Sequence, residues 1–537
     1  MTTFIRRIAD KEGKDFNIIC GCYAAQSHNM AWEVNMTFTG EFLKKTEEFH
    51  NNVWGDIGNN LYKNPVLNAD YSDPDVIRVG SDFYMVCSDF HYMGIPVLHS
   101  KDLVNWTIAG QVYKQLNIHS RYDEMDGYGK GSWAPALRYH DGRFYVYFCT
   151  PEEGLYMSSA EQPQGPWTDL HEVKRTAGWE DPCPFWDDDG NAYLGHSTVG
   201  AGPIIIHRMS ADGKQLLDEG VIVYIGKIAE GTKIYKRNNY YYLVIPEGGV
   251  EKGWQAVLRS RNIYGPYERK VVLGTGKTDI NGPHQGGLVE LESGESWFMH
   301  FQSAGALGRV CHLQPVTWVE DWPLMGNEGE PVTIYNKPNV GKFYPVTLPQ
   351  SSDEFDTPEL GPQWQWNHNS VGEKWSLALR PGYLSLTAMK ADNIYRARNT
   401  LTQKLMGNFG AITVKMDTRH MQAGQTAGLC YLGGKEENWI GAAAANNSSR
   451  IKAVTGGISY YGPNVKAGEV WFKTILDLDG KTEFYFSFNG YDFYQLGGKC
   501  VLKEGFWKGA RAGIFSYNTG DAAGRADFDY FHYDVFK

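Results

Sequence analysis

The sequence predicts an all-β protein in two parts, a five-bladed β-propeller followed by a second β-domain, and three observations predict it. Short runs rich in Tyr, Phe, Val and Ile alternate with Gly, Asp and Asn turns from residue 64 onward, the mark of strands joined by tight turns. No sustained 3.6-residue apolar period occurs between residues 64 and 342. A polar turn followed by an aromatic strand recurs five times, at 80–86, 140–148, 187–195, 237–244 and 292–300. With Tyr84, Tyr145, Tyr193, Tyr241 and Trp297 taken as equivalent, the copies lie 61, 48, 48 and 56 residues apart. That is the spacing of propeller blades, each one small antiparallel sheet set around a common axis.

The order of elements follows from composition. At 537 residues the chain is too long for one core. Residues 1–60 share neither pattern and are expected to be a poorly ordered leader. Residues 61–345 hold the repeats and form the propeller. The stretch FYPVTLPQSS (343–352), with two prolines and a polar end, reads as a linker. Residues 353–537 are again β-rich, with turns at RPGY (380–383), FNGYD (488–492) and NTGD (518–521), but lack the five-fold spacing. A two-sheet sandwich is expected there.

Charge and cysteine usage exclude several classes. A net charge of −11 argues against a nucleic-acid binder, and no apolar run nears the roughly 18 residues of a membrane helix. The eight cysteines show no CxxC and no paired ligand spacing, so a zinc site and a disulfide framework are not implied. Cys87 and Cys149 lie in apolar strands and read as buried thiols. Phe16 to Ala25 is short for a signal-peptide core, and Asp10, Glu12 and Asp15 interrupt its basic flank. The sequence leaves the compartment and the oligomeric state open.

In a propeller the first strand of each blade lines the central channel, so equivalent positions converge on the axis. A near-constant distance before each repeat aromatic stand Asp73, Trp133, Asp181, Glu230 and His284, in the segments YSDPD, SWAPA, EDPCP, AEGTK and GPHQG. Asp next to Pro commonly caps a turn. Three carboxylates converging on one mouth, however, repel one another and lose hydration, which chemistry or a metal explains better than stability. Two carboxylates flanking a bond are the machinery of glycoside hydrolysis, one protonated to serve the leaving oxygen and one ionised. A third negative charge can keep the donor protonated. Glu230, with the longer side chain and no adjacent proline, suits the donor, Asp73 the base and Asp181 the third role. Trp133 offers a face for a sugar ring.

At these residues the chain resembles glycoside hydrolase family 43. The resemblance rests on the ordered set NADYSDPDVIRVGSDFYMV, HSKDLVNW, SWAPALRYHDGRFYVYF, EDPCPFWDDDGNAYL, AEGTKIYKRNNYYYLV and GPHQGGLVEL, spanning residues 64–322. It implies a five-bladed propeller that hydrolyses arabinose- and xylose-containing glycans with inversion. It implies Asp73 as general base, Asp181 as the orienting and pKa-modulating acid, and Glu230 as general acid. His284 matches an axial histidine often near calcium or a water. Arg309 matches an arginine that contacts the sugar, and Phe90 and Tyr92 a stretch of pocket wall. The segments 353–369, 375–386, 396–404 and 525–533 resemble the concanavalin-A-like sandwich that follows the propeller in β-xylosidase-type members. Some related sandwiches hold calcium through a late-strand acid, which makes Asp529 with Glu354 a candidate pair beside the reading of two ordinary surface acids.

Other motifs reduce to structure. DDDG (187–190) lacks the ligand spacing of a calcium loop and sits at a repeat hairpin. GTGKTD (274–279) lacks phosphate-loop spacing. His99, His140 and His207 read as structural. NHN (367–369) could meet sugar, but Trp364 and Trp366 beside it read as packing.

The sequence therefore predicts an exo-acting, inverting hydrolase that removes terminal α-L-arabinofuranosyl or β-D-xylosyl units from plant cell-wall oligosaccharides, with no organic cofactor required and calcium as an optional ion. Its alternatives are a non-catalytic glycan-binding protein on the same scaffold, which has no need of three acids, and an invertase-type enzyme, which carries a WMNDPNG-like segment where this chain has YSDPDVI.

Overall fold

Each aromatic of the repeat lies on the second strand of a four-stranded antiparallel sheet, and there are five such sheets. The computed structural model describes residues 53–446, 448–465 and 468–536, together with the backbone of three short strands ahead of them, Thr3–Ala9, Asp15–Gly21 and Glu33–Val34. Blade one comprises Asp75–Val79, Asp82–Val86, Pro96–Ser100 and Trp106–Gln111. Blade two comprises Trp133–His140, Arg143–Thr150, Gly154–Ala160 and His171–Arg175. Blade three comprises Trp179–Trp186, Ala192–Thr198, Ile204–Met209 and Val221–Tyr224. Blade four comprises Lys233–Arg237, Tyr240–Glu247, Trp254–Ser260 and Glu268–Leu273, and blade five His284–Glu290, Ser296–Ser303, Arg309–Val319 and Trp322–Met325.

The hairpins show why turn and aromatic travel together. In blade three Asp187 N–H donates to Asn191 O and Gly190 N–H to Asp187 O, so DDDG closes the turn. The Asp187 carboxylate then takes Lys236 and the Tyr241 hydroxyl from the next blade. Faces between blades fill with apolar side chains. Tyr147, Cys149, Leu155 and Met157 pack on Ala192, Leu194 and Met209. Tyr242, Val244 and Val257 pack on Phe298, Val316 and Trp322. Each large apolar side chain buried this way contributes roughly 1.5–3 kcal/mol.

The ring closes where blade five meets blade one. Arg78 Nε donates to Glu290 O at 2.7 Å, and a Cβ at Gly287 would stand 2.5 Å from Val76 N. The two inner strands therefore approach closely only because residue 287 has no side chain. The chain ahead of blade one reinforces the closure. Asn64 exchanges hydrogen bonds with Leu313, and Leu61–Lys63 pairs with both Gly55–Gly58 and Ile334–Asn336. This corrects the end of the expected leader. From residue 53 the chain is built in, with Trp54 only 3% exposed. The remainder of that expectation falls on residues 1–52, outside the described residues apart from the three strand backbones.

The second domain is a sandwich of an eight-stranded and a seven-stranded sheet. The linker does not hang free. Gln350 bonds the edge strand of blade one through Ile108 N and O, and Thr347 N donates to Asn105. One continuous apolar cluster runs from Val86, Leu98 and Trp106 of blade one through Trp364 and Trp366 into Leu401, Ile412 and Ile514 of the sandwich. The described cysteines, Cys87 and Cys149 among them, are buried free thiols. No described helix is long and apolar enough to cross a membrane.

Candidate active site

The five axial positions lie at the heads of the five first strands. Trp133 and His284 open theirs, Asp181 is the third residue of its strand, and Asp73 and Glu230 precede theirs by two and three residues. Asp73 and Asp181 both have left-handed backbones, φ 53° and 55°. Such residues cost of order 1–3 kcal/mol and concentrate at functional sites.

Each carboxyl has its own surroundings. Asp73 Oδ1 accepts from Arg309 Nη1 at 2.9 Å and Oδ2 from Ser88 Oγ at 2.6 Å. Arg309 is itself held over the Phe301 ring, 4.7 Å from its centre. Asp181 has neutral donors, Gly231 N–H at 2.7 Å, Gln285 Nε2 at 3.0 Å and Ser197 Oγ at 3.2 Å. Burial first, then the charge of Glu230, pushes its pKa up to about 6. Glu230 Oε1 lies 2.7 Å from His284 Nε2.

A fourth acid, Glu180, completes the group, and reading the sequence by Asp181 alone missed it. Carboxyl oxygens of Glu180, Asp181 and Glu230 all lie within 4.8 Å of one another. Burial, then Asp181 and Glu230, drives Glu180 up to about 9. Three acids so close disfavour one another's ionised form, so the cluster retains protons near neutrality. Its only signal in the sequence is a second acid directly before Asp181.

The pocket wall comes from both domains. Trp133 donates from Nε1 to Gly129 O, meets Phe90 edge-on at 5.9 Å, and meets Trp507 of the sandwich at 6.1 Å. Phe506, beside it, packs on Tyr128. Nothing in the local sequence links Trp507 to a site, because it arrives from the other domain. Tyr92 departs from expectation. It is 3% exposed, packs with Ile394, Trp439 and Phe515, and lies under Lys508 and Arg511. It is a wedge between domains and not a wall of the pocket, since its apolar ring finds more partners in the seam. NHN belongs to the same seam. Gly127 N–H donates to His368 Nε2, and Asn367 Nδ2 to the Tyr128 hydroxyl.

At the centre of the seam is Asp89, fully buried. Its Oδ1 takes Lys404 Nζ and Arg511 Nη2, both at 2.7 Å, its Oδ2 takes Gln365, and its carbonyl takes Lys508 Nζ.

The calcium implied near His284 does not find a fitting donor set. One nitrogen of His284 is committed to Glu230, while Nδ1 is buried without a partner. The channel carboxylate Asp75 already faces two protein cations, Arg138 at 2.7 Å and Lys233 at 3.8 Å. Among the described residues the three acids above are the only such cluster close enough to share an ion. Asp181 and Glu230 already hold partners there. In the sandwich Asp529 pairs with Lys415 and Glu354 with His532.

Comparison with known proteins gives the family. The model of glycosyl hydrolases family 43 matches residues 62–323, and that of the β-xylosidase C-terminal concanavalin A-like domain matches residues 352–534. A putative β-xylosidase of Xylanibacter ruminicola is 50% identical over 472 residues, covering 86% of this chain and 88% of that protein. A non-reducing end α-L-arabinofuranosidase of Bacteroides ovatus is 32% identical over 352 residues, 62% of this chain and 65% of that one. A solved family 43 protein of Bacillus licheniformis superposes with a TM-score of 0.79 at 27% identity, covering 89% of this chain and all of that one. The chain, with three carboxyls and an aromatic wall at the mouth of a five-bladed propeller, belongs to glycosyl hydrolase family 43 and is a glycoside hydrolase.

Proposed function

We propose that the protein is an exo-acting, inverting glycosidase that releases terminal β-D-xylosyl or α-L-arabinofuranosyl units from hemicellulose oligosaccharides such as those of arabinoxylan. The names of the relatives from Xylanibacter and Bacteroides support both pentoses. One observation carries the mechanism: the carboxyls at the mouth have opposite kinds of partner. Asp73 rests on a guanidinium and a hydroxyl, while Glu230 stands beside Asp181 and Glu180 with the His284 imidazole as its hydrogen-bond partner. Asp73 takes the proton of a water on one face of the sugar. Glu230 gives its proton to the leaving oxygen on the other. Asp181, held by Gly231, Gln285 and Ser197, keeps a negative charge or a shared proton beside Glu230 and fixes its orientation. The direct attack of water needs the two carboxyls roughly 6.5–9.5 Å apart. The reaction needs no organic cofactor.

The test is a panel of aryl pentosides with wild type and Glu230→Ala, with proton NMR of the first-formed anomer. The variant is expected to lose about 10²–10⁴-fold on poor leaving groups and much less on activated ones, and the product to appear with inverted configuration. Retained configuration, or a variant as active as wild type on a natural oligosaccharide, removes the reading.

A further inference from the structure

The left-handed residue marks one point at the head of every blade. It is Asp73, Ala134, Asp181, Gly231 and Gln285 in turn, with φ between 38° and 64°. The residues just before it are Ser72, Trp133, Glu180, Glu230 and His284. Asp181 and Glu230 therefore do not share a position. Glu230 shares one with Trp133, His284 and Glu180. Trp133 and His284 each reach the pocket or its acid from that position. Ladder registers break at the same place in blades two, three and five, so the bulge that aims Trp133 and His284 also aims Glu180.

Glu180 is not held as a structural acid is held. Acids buried elsewhere sit on cations, as Asp75 on Arg138, Asp417 on Arg380 and Arg419 and Glu247 on Arg269, or on several short neutral donors, as Asp102 on Val104 N–H, Asn105 N–H and Asn105 Nδ2. Glu180 is 6% exposed, yet the hydrogen bond given to its carboxyl is a long one, from Ala201 N–H at 3.3 Å. The charged groups that face it are Asp181, Glu230 and Asp73, all acidic. A span of up to 4.8 Å to Glu230 is one that a single hydroxyl can bridge.

We propose that Glu180 is a further substrate-contacting residue, whose carboxyl O–H donates a hydrogen bond to a hydroxyl of the terminal pentosyl unit bound beside Glu230. This rests on the pentosidase reading above. The proton is available because burial and the neighbouring acids hold it on Glu180 up to about pH 9. A neutral acid also spares the pocket another negative charge. A buried donor that has no protein acceptor of its own discriminates strongly for a ligand that supplies one.

The experiment measures competitive inhibition by free D-xylose and L-arabinose from pH 6 to pH 9.5, with wild type, Glu180→Gln and Glu180→Ala checked for folding by circular dichroism. Wild type is expected to bind its own product pentose about fourfold more weakly at pH 9.5 than at pH 7, because an acid of pKa about 9 is roughly three-quarters ionised at pH 9.5. Glu180→Gln, a donor that does not titrate, is expected to change less than 1.5-fold between those two pH values. Glu180→Ala is expected to bind the pentose at least tenfold more weakly at pH 7, with losses in kcat/KM equal for activated and poor leaving groups. Superimposable pH profiles for wild type and Glu180→Gln overturn the proposal, as does unchanged pentose binding in Glu180→Ala. A loss in Glu180→Ala that grows with poor leaving groups also overturns it, by making Glu180 the proton donor. If Glu180→Ala does not fold, the two profiles decide alone. Free pentose has no leaving group to protonate, so a failed role for Glu230 shows in the aryl glycoside panel and not here.

Discussion

Two buried acidic centres in this molecule have the same residue types and opposite electrostatics. Asp89 at the domain seam would be raised by burial alone, but Lys404, then Arg511 and Lys508, outweigh burial and hold it below the usual carboxylate range. Asp181 and Glu180 at the pocket have neutral donors and other acids for neighbours, and rise to about 6 and about 9. Burial is common to both, so the sign of the neighbours decides. The seam uses a fixed anion to fasten two domains. At the pocket, burial and neighbouring acids outweigh the one cation that acts on Asp181, Lys233, so both carboxyls rise. The two centres are also close in sequence to the same wall, since Phe90 follows Asp89 and Trp507 precedes Lys508.

Replacing each centre's carboxylate by its amide breaks the comparison most directly. Asp89→Asn leaves Lys404 and Arg511 buried without their counter-ion, and breaking such a pair costs about 3–5 kcal/mol. The expected result is a clear fall in chemical or thermal unfolding midpoint, with substrate binding weakened only as the seam loosens. Asp181→Asn does the reverse. It removes a charge from a crowded acidic cluster, so the unfolding midpoint is expected to hold or rise, while kcat/KM on poor leaving groups falls about 100-fold. Equal effects of the two variants on stability would mean that the pocket acids are also structural fasteners.

The same contrast shows what sequence could and could not reveal. The five repeat aromatics fall on the second strands of five blades because a tight turn and a ring that fills the inter-blade face are local requirements. The acids Asp73, Asp181 and Glu230 were legible because each heads an inner strand. Their register was not. Offsets from the aromatic vary by a residue or two, because a bulge and a left-handed residue intervene, so counting back from the aromatics sets Asp181 opposite Glu230 when Glu180 is its true counterpart. Tyr92 leaves the wall and Trp507 joins it for a non-local reason. The sandwich packs against the loop after blade one's second strand, buries Tyr92 under Lys508, and sends Trp507 toward Trp133. Nothing near either residue in sequence records that contact.

A pH series sharpens the comparison with a smaller effect. Glu180 and Asp181 bind protons more tightly folded than unfolded, so their contribution to stability is full at low pH and is lost as pH rises from about 4 through 6 and 9. Asp89 is lowered, so its contribution is full above its unfolded value near 3.8 and is lost only as pH falls below it. Between pH 5 and 9 the contribution of Asp89 is therefore constant and the pocket becomes costlier. The unfolding midpoint of Glu180→Gln is expected to match wild type near pH 5 and to exceed it increasingly toward pH 9. A constant offset across that range would place Glu180's proton under no such strain.

The smallest effect tests whether the seam serves the pocket at all. Trp507 is 57% exposed and reaches Trp133 edge-on from the sandwich. A ring so exposed at the pocket wall is placed to meet the sugar, and a contact of the strength of an aromatic pair, about 0.5–1.5 kcal/mol, would make Trp507→Ala raise KM by roughly 2- to 12-fold. Trp507 touches none of the carboxyls in the structure, so kcat should stay near wild type. Lys508 and Asp89 remain in place in this variant, so its unfolding midpoint should also stay near wild type. An unchanged KM would confine the sandwich to bracing the propeller. A fall in kcat would mean instead that the loop carrying Trp507 orders the acids themselves.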